Sequence, residues 1–191
     1  MEIIFATQNP NKVKEIQAQL GDQVQVKSLL DLNYTKELEE TQETLEGNAF
    51  QKARFVFQKF GKACFADDTG LEVEALNGEP GVYSARYGGE EKSFDKNMDK
   101  LLLNLKGENN RTAQFRTAIA LVLENGEEHL FEGACKGKII EERKGGKGFG
   151  YDPIFQPEGY NNTFAEMELS LKTKIGHRGK AVEKLITFLN E

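Results

Sequence analysis

The chain has 191 residues, 38% of them hydrophobic and 29% charged, with a formal net charge of −6 at pH 7. That length suits one domain or two tightly joined lobes around a shared core, and no apolar run approaches the ~20 residues of a membrane span. The acidic balance argues against broad binding to a nucleic-acid backbone, so any anionic ligand must be caught by a local cluster of positive groups.

In chain order, IIFAT (3–7) reads as a short buried strand. NPNKVKEIQAQLG then predicts a helix with Asn9 as N-cap, Pro10 at the first position and Gly21 as stop. Its apolar positions Val13, Ile16 and Leu20 follow the helical period. VQVKSL (24–29) predicts a strand, followed by the acidic connection DLNYTKELEETQET. A second helix is expected from about residue 44 to Phe60, with Leu45, Ala49, Ala53, Phe57 and Phe60 on one face and Gly61 ending it. ACFAD (63–67) is expected to be a strand that ends in the turn DDTG, with LEVEAL (71–76) as another strand. SFDKNMDKLLLNLKG predicts a third helix. TAQFRTAIALVL and EEHLFEGACKGKII, joined by Asn125-Gly126, form the clearest hairpin. DPIF (152–155) reads as a short strand, and HRGKAVEKLITFLN as a closing helix with Ala181, Leu185, Ile186 and Leu189 inward. Strands and helices mix without strict alternation, which predicts an α/β fold with a mixed sheet.

Cys64 and Cys135 lie in apolar stretches without CxxC spacing, which reads as buried free thiols in a reducing compartment. The N-terminus lacks the features of a secretory signal. With only His129 and His177, a histidine-rich metal site is excluded. A soluble cytoplasmic protein, without a membrane or nucleic-acid partner, is the expectation.

Five segments can carry chemistry. TQNPNK (Thr7, Gln8, Asn9, Pro10, Asn11, Lys12) sits at a strand-to-helix junction. Free N–H groups, the helix dipole and the Lys12 charge can there receive a phosphate; alone, the segment fits an ordinary cap better. ELEET (37–41) places carboxylates at Glu37, Glu39 and Glu40, by default a solvated surface. In CFADDTG, Asp67 and Asp68 follow a buried strand, where ligands bind in open α/β sheets. Hard oxygen ligands of this kind suit Mg²⁺, although the same four residues also make a polar turn. KGGKGFGYDPIF (144–155) combines glycines that admit a close ligand with Phe149 and Tyr151, whose faces can stack on a flat base. Its alternative is a hairpin connection with core aromatics. KTKIGHRGK (172–180) opens the last helix with basic groups where the dipole is already positive, a conflict that an anion would relieve.

The chain resembles the inosine-triphosphate pyrophosphatase family over essentially its whole length. The resemblance rests on ATQNPNKVKEI, ADDTGLEVEALNGEPGVYSARY, GGKGFGYDPIF, TFAEM and HRGKA, in that order. It implies an elongated two-lobed α/β fold with a central mixed sheet flanked by helices and an active-site cleft between the lobes, usually as a homodimer. The implied activity is Mg²⁺-dependent cleavage of dITP, ITP and XTP between the α and β phosphates, giving a nucleoside monophosphate and pyrophosphate. Asp68 is implied as general base and metal ligand, and Glu39 as a further ligand, with Glu40 adjacent to it. Thr7 to Lys12, Thr69, Lys172 and Arg178 match nucleotide-binding positions. Phe149, Gly150, Tyr151 and Asp152, with His177 and Arg178, match the segment that reads the base. Two departures are visible: Thr69 and Gly176 stand where the family usually has serine.

Overall fold

Local chemistry sets the helix boundaries in the computed structural model, which describes residues 2–21 and 24–190. Helix α1 (Pro10–Leu20) begins where the Asn9 side chain accepts a hydrogen bond from the Asn11 N–H, and Pro10 brings a φ already suited to the first turn. Helix α2 (Leu45–Phe60) is capped by Thr44 and stops at Gly61, whose left-handed φ of 62° favours glycine. Ser93 caps α3 (Phe94–Asn104). The basic C-terminal segment holds two helices, α4 (Leu169–Ile175) and α5 (His177–Leu189), separated by Gly176.

The strands assemble into one mixed sheet. β1 (Glu2–Phe5) pairs in parallel with β2 (Gln25–Ser28) and with β3 (Cys64–Val73). β4 (Pro80–Gly81) is antiparallel to β3, and β7 (Phe155–Pro157) is antiparallel to β6 (Glu128–Ile139). β5 (Thr112–Val122) and β6 are the expected hairpin, with Gly126 N–H closing onto the Leu123 carbonyl at 2.9 Å. The strand order is β2-β1-β3-β5-β6-β7, with β4 on β3. This is the α/β class with a mixed sheet that the element pattern predicts.

Two local expectations are corrected. DDTG is not a turn: it lies inside β3, which runs unbroken from Cys64 to Val73, and residues 74–76 form a 3₁₀ turn. Turn propensity yields here because nearly every residue of this strand is buried, and buried backbone groups need ladder partners. DPIF is likewise a 3₁₀ turn over Asp152–Ile154, with the strand starting at Phe155. Pro153 has no N–H to give to a ladder.

The chain divides into two units. The first comprises the segment up to Asp68, Thr117–Gly133 and the chain from Arg178 onwards. Its core gathers Ile3, Phe5, Ile16, Phe65, Ile119 and Leu185, with the Phe5 and Phe65 rings stacked at 4.5 Å. The second comprises Thr69–Arg116 and Ala134–His177. Its core is richer in aromatics: the Phe115 and Phe155 rings stand 4.6 Å apart, and Phe155 and Phe164 stand 5.0 Å apart. The chain passes between the units within β3, β5 and β6, and again between His177 and Arg178.

Candidate active site

Successive side chains on a strand point to opposite faces, and β3 uses this to give Asp67 and Asp68 different partners within the first unit. Asp67, only 1% exposed, accepts from Lys12 Nζ at Oδ1 (2.9 Å) and from Arg178 Nε at Oδ2 (3.1 Å). Arg178 also donates to Glu15 Oε2, so charges alternate along Lys12, Asp67, Arg178 and Glu15. Asp68 faces α2 instead. Lys52 Nζ lies 3.7 Å from Asp68 Oδ1, 2.5 Å from Glu40 Oε1 and 2.7 Å from the Asp67 carbonyl oxygen. Asn48, one helical turn before Lys52, hydrogen-bonds the Asp68 carboxylate.

Burial opposes ionisation of both aspartates, yet the two end up apart. For Asp67 the neighbouring Lys12, Arg178 and Lys52 charges outweigh burial and hold the carboxyl far below the usual range. For Asp68 burial prevails, reinforced by the Glu40 charge and opposed by Lys52, and the pKa rises. Lys52 is disfavoured as an ion by its own burial, but Asp68, Glu40 and Asp67 outweigh this and push its pKa upward. Paired carboxylates driven apart in this way separate a permanently charged group from one able to exchange a proton.

The TQNPNK segment is largely engaged with its own chain. Thr7 is buried, and its Oγ1 accepts from the Asn9 N–H at 3.1 Å. Gln8 Nε2 donates to the carbonyls of Tyr34 (3.2 Å) and Lys36 (2.7 Å). Pro10 and Asn11 are exposed, while Lys12 reaches Asp67. In the acidic run, Glu39 is exposed and lines a groove of about 720 Å³ with Glu37, Tyr34, Phe55 and Lys59. Glu40 is the member brought to Lys52 and Asp68. Among the described residues no group of three or more His, Cys, Asp or Glu side chains gathers. Mg²⁺ usually takes one or two carboxylates and completes its shell with phosphate and water oxygens. Glu40 and Asp68, both set against Lys52, supply oxygen donors of the kind that ion takes.

In the second unit, Asp152 organises the glycine-aromatic loop. Its Oδ2 accepts from the Phe149 N–H at 2.9 Å and from Lys172 Nζ at 2.7 Å, and both charged side chains are buried. The Lys172 ammonium also stands 4.9 Å from the centroid of the half-buried Phe149 ring. Tyr151 departs from the stacking role that the sequence suggested. It is a core residue, 4% exposed, whose hydroxyl donates to the Ser84 carbonyl at 2.6 Å. The His177 ring is buried and stacks on Phe115 at 4.5 Å. Gly150 and Thr69 are half-buried.

The conflict inferred for the basic segment dissolves in the structure. Lys172 and Lys174 occupy the last turn of α4, where a cation is favoured, and Arg178 is neutralised by Asp67 and Glu15. A bound anion is not required to explain those charges. Sequence reasoning passed over Lys52, Asn48 and Glu15. The signal was a polar residue on the buried face of a helix: Asn48 and Lys52 interrupt the stripe formed by Leu45, Ala49, Ala53 and Val56.

The Ham1 family model matches residues 3–188. The chain is 55% identical over 189 residues to the dITP/XTP pyrophosphatase of Flavobacterium johnsoniae, covering 99% of this chain and 98% of that protein. It is 46% identical over 191 residues to the dITP/XTP pyrophosphatase of Bacillus subtilis, covering 98% and 96%. Among solved structures, the Ham1 protein of Staphylococcus aureus superposes with a TM-score of 0.90 at 38% identity, covering 100% of this chain and 98% of that one. The nucleoside-triphosphatase / dITP/XTP pyrophosphatase of Mycobacterium abscessus superposes with a TM-score of 0.78 at 42% identity, covering 97% and 98%.

Proposed function

The chain belongs to the Ham1 family, and on that premise we propose that it is a Mg²⁺-dependent nucleoside-triphosphate pyrophosphatase. Its substrates on this reading are dITP, ITP and XTP, which it converts to the monophosphate and pyrophosphate, clearing deaminated purines from the nucleotide pool. The names carried by the relatives support the reaction class. The single observation that carries the mechanism is geometric: adjacent Asp67 and Asp68 meet different partners, Lys12 and Arg178 at Asp67 and Lys52 at Asp68.

Asp68, with its raised pKa, takes the proton from the attacking water at a carboxylate oxygen. Asp67 remains an anion and fixes the Lys12 ammonium, which meets phosphate charge. Lys52 holds Glu40 and Asp68 at one point and keeps two carboxylates from repelling each other. Glu40 and Asp68, in preference to Glu39, would hold Mg²⁺, which when bound supplies charge stabilisation at the phosphoryl oxygens and a more acidic water. On the base side, Phe149 offers its half-buried ring to a purine, and Lys172 sets a donor beside that ring. A 6-keto oxygen accepts from such a donor, whereas the 6-amino group of adenine meets it donor to donor. We also read the protein as a homodimer in solution, with no nucleic-acid partner.

The test is product identity. Purified protein is given ITP, dITP, XTP, ATP and GTP with Mg²⁺, beside an Asp68→Asn variant. Pyrophosphate from the first three, little from the last two, and a drop in kcat of about 10²–10⁴ in the variant are expected. Orthophosphate as first product would place the attack on the γ phosphate and overturn the reading.

A further inference from the structure

Three consecutive residues of the acidic connection are held by three side chains of α2, all within the first unit. Glu40 Oε1 accepts from Lys52 Nζ at 2.5 Å. The Thr41 N–H donates to Gln51 Oε1 at 3.0 Å, and Gln51 Nε2 donates back to Thr41 Oγ1 at 2.9 Å. The Gln42 N–H donates to Asn48 Oδ1 at 2.9 Å. Positions 48, 51 and 52 are three and four residues apart and share one face of the helix. The fit there is close, since an ideal Cβ on Gly47 would lie 2.8 Å from Gln42 Cβ.

Asn48 and Lys52 also reach β3, whereas both bonds of Gln51 go to Thr41. Lys52 ends in an ammonium on a flexible stem, whose rotatable donors can follow a carboxylate as it moves. Asn48 is different: its amide is short and planar, with one acceptor end and one donor end. With Oδ1 taken by the Gln42 N–H, the donor end is the one that meets the Asp68 carboxylate. One directional group therefore spans from the connection that carries Glu40 to the strand that carries Asp68. An amide buried on the apolar stripe of a helix is costly unless both ends are bonded, and Asn48 is only 2% exposed. We propose that Asn48 is a positioning residue for the divalent-cation site: its amide sets the acidic connection against β3, so that Glu40 and Asp68 stand in register before an ion arrives. The inference rests on the Mg²⁺-dependent reading above, and its test separates the two.

The experiment compares wild type, Asn48→Leu, Gln51→Ala, Glu40→Gln and the Asn48→Leu/Glu40→Gln double variant. Mn²⁺ alone is the probe, its affinity read from loss of the free-ion signal in electron paramagnetic resonance. The Mg²⁺ concentration that gives half-maximal ITP turnover is measured beside it. Asn48→Leu is expected to weaken Mn²⁺ binding about 10–100-fold, as removal of a group that orients a metal ligand typically does. Its Mg²⁺ midpoint should rise in step, with turnover largely regained at saturating Mg²⁺, a shift that a smaller folded fraction would not produce. Gln51→Ala, which leaves the link to Asp68 intact, should cost less. In the Glu40→Gln background Asn48→Leu should cost about threefold or less, because register no longer counts once one carboxylate is gone. Wild-type Mn²⁺ affinity in folded Asn48→Leu, a loss at least as large in Gln51→Ala, or full additivity in the double variant would overturn the proposal. A wild type whose Mn²⁺ binding depends on Asn48 in this way but which hydrolyses no ITP upholds the proposal and removes the substrate reading; a wild type that binds no Mn²⁺ removes both. Should Asn48→Leu fail to fold, hydrogen exchange at the exposed Gln42 amide of wild type decides. Protection already present without Mn²⁺ is the expected result, whereas an amide that exchanges freely until the ion is added would show that the ion, not Asn48, orders the segment.

Discussion

Lys52 and Cys64 illustrate how little a side chain's identity says until its surroundings are known. An ammonium in a closed site is stable only because Glu40, Asp68 and the Asp67 carbonyl surround it. In sequence its place on the apolar stripe of α2 marks it as buried, but nothing about its spacing reveals that a strand from elsewhere in the chain arrives with two carboxylates. Asp68, by contrast, was legible as a candidate, because an acidic pair beside a buried apolar run can meet a ligand as readily as make a polar turn. Cys64 shows the opposite effect of burial. Its thiol is fully buried and donates to the Ala53 carbonyl at 3.2 Å, and desolvation pushes its pKa up to about 12. An unfolded thiol ionises near 8.5. Between those values the unfolded chain has lost a proton that the folded chain retains, so stability falls as pH rises above about 8.5. Urea unfolding at pH 7.5 and pH 10 under reducing conditions should therefore show wild type losing roughly 2 kcal/mol more than Cys64→Ala over that interval. Parallel losses in the two proteins would mean that the thiol ionises in the folded state.

At the level of elements, the helices were readable and the strand carrying the aspartates was not. Caps and stops are local: Asn9, Thr44, Ser93 and Gly61 act through hydrogen bonds or conformations within a few residues, so a linear reading finds them. The unbroken course of β3 depends on β1 and β4, which lie elsewhere in the sequence, and pairing there overrides the turn propensity of Asp-Asp-Thr-Gly. The closing helix α5 begins at His177, where the sequence places it, whereas the short helix α4 was not anticipated. Helix α2 gives a direct test of the local part. Thr44 Oγ1 accepts the Gly47 N–H at 3.0 Å, and loss of such a cap typically costs about 1 kcal/mol. Thr44→Ala should lower Tm by ~2–4 °C for a chain of this size. Because Asn48 and Lys52 lie deeper in the helix, kcat should be unaffected. A large fall in kcat with unchanged Tm would place Thr44 in the chemistry instead.

For the whole molecule, the question left by its own surface is what covers the apolar side chains that folding does not. Most large hydrophobic residues are accounted for by the two cores. Leu103 on α3 and Tyr83 are the most exposed large apolar side chains among the described residues, at 69% and 64%. Both lie between residues 81 and 104. Scattered single exposures need no explanation, but two side chains this bare in one segment support a second copy of the chain as their cover, and an isologous pairing is the commonest way for a chain to provide it. The homodimer reading then predicts a mass of about 43 kDa by light scattering, twice the 21.5 kDa of one chain. A charge placed in the centre of such an interface would be desolvated without a partner, so Tyr83→Glu or Leu103→Glu should shift the population towards monomer. Each exposed site tolerates glutamate in the isolated fold, and the Tm of a monomeric variant should fall only by the stabilisation that dimerisation supplies, in a concentration-dependent way. A wild type that runs as a monomer at every concentration, or variants that remain dimeric, would remove this segment from the interface and leave its two exposed side chains as ordinary surface.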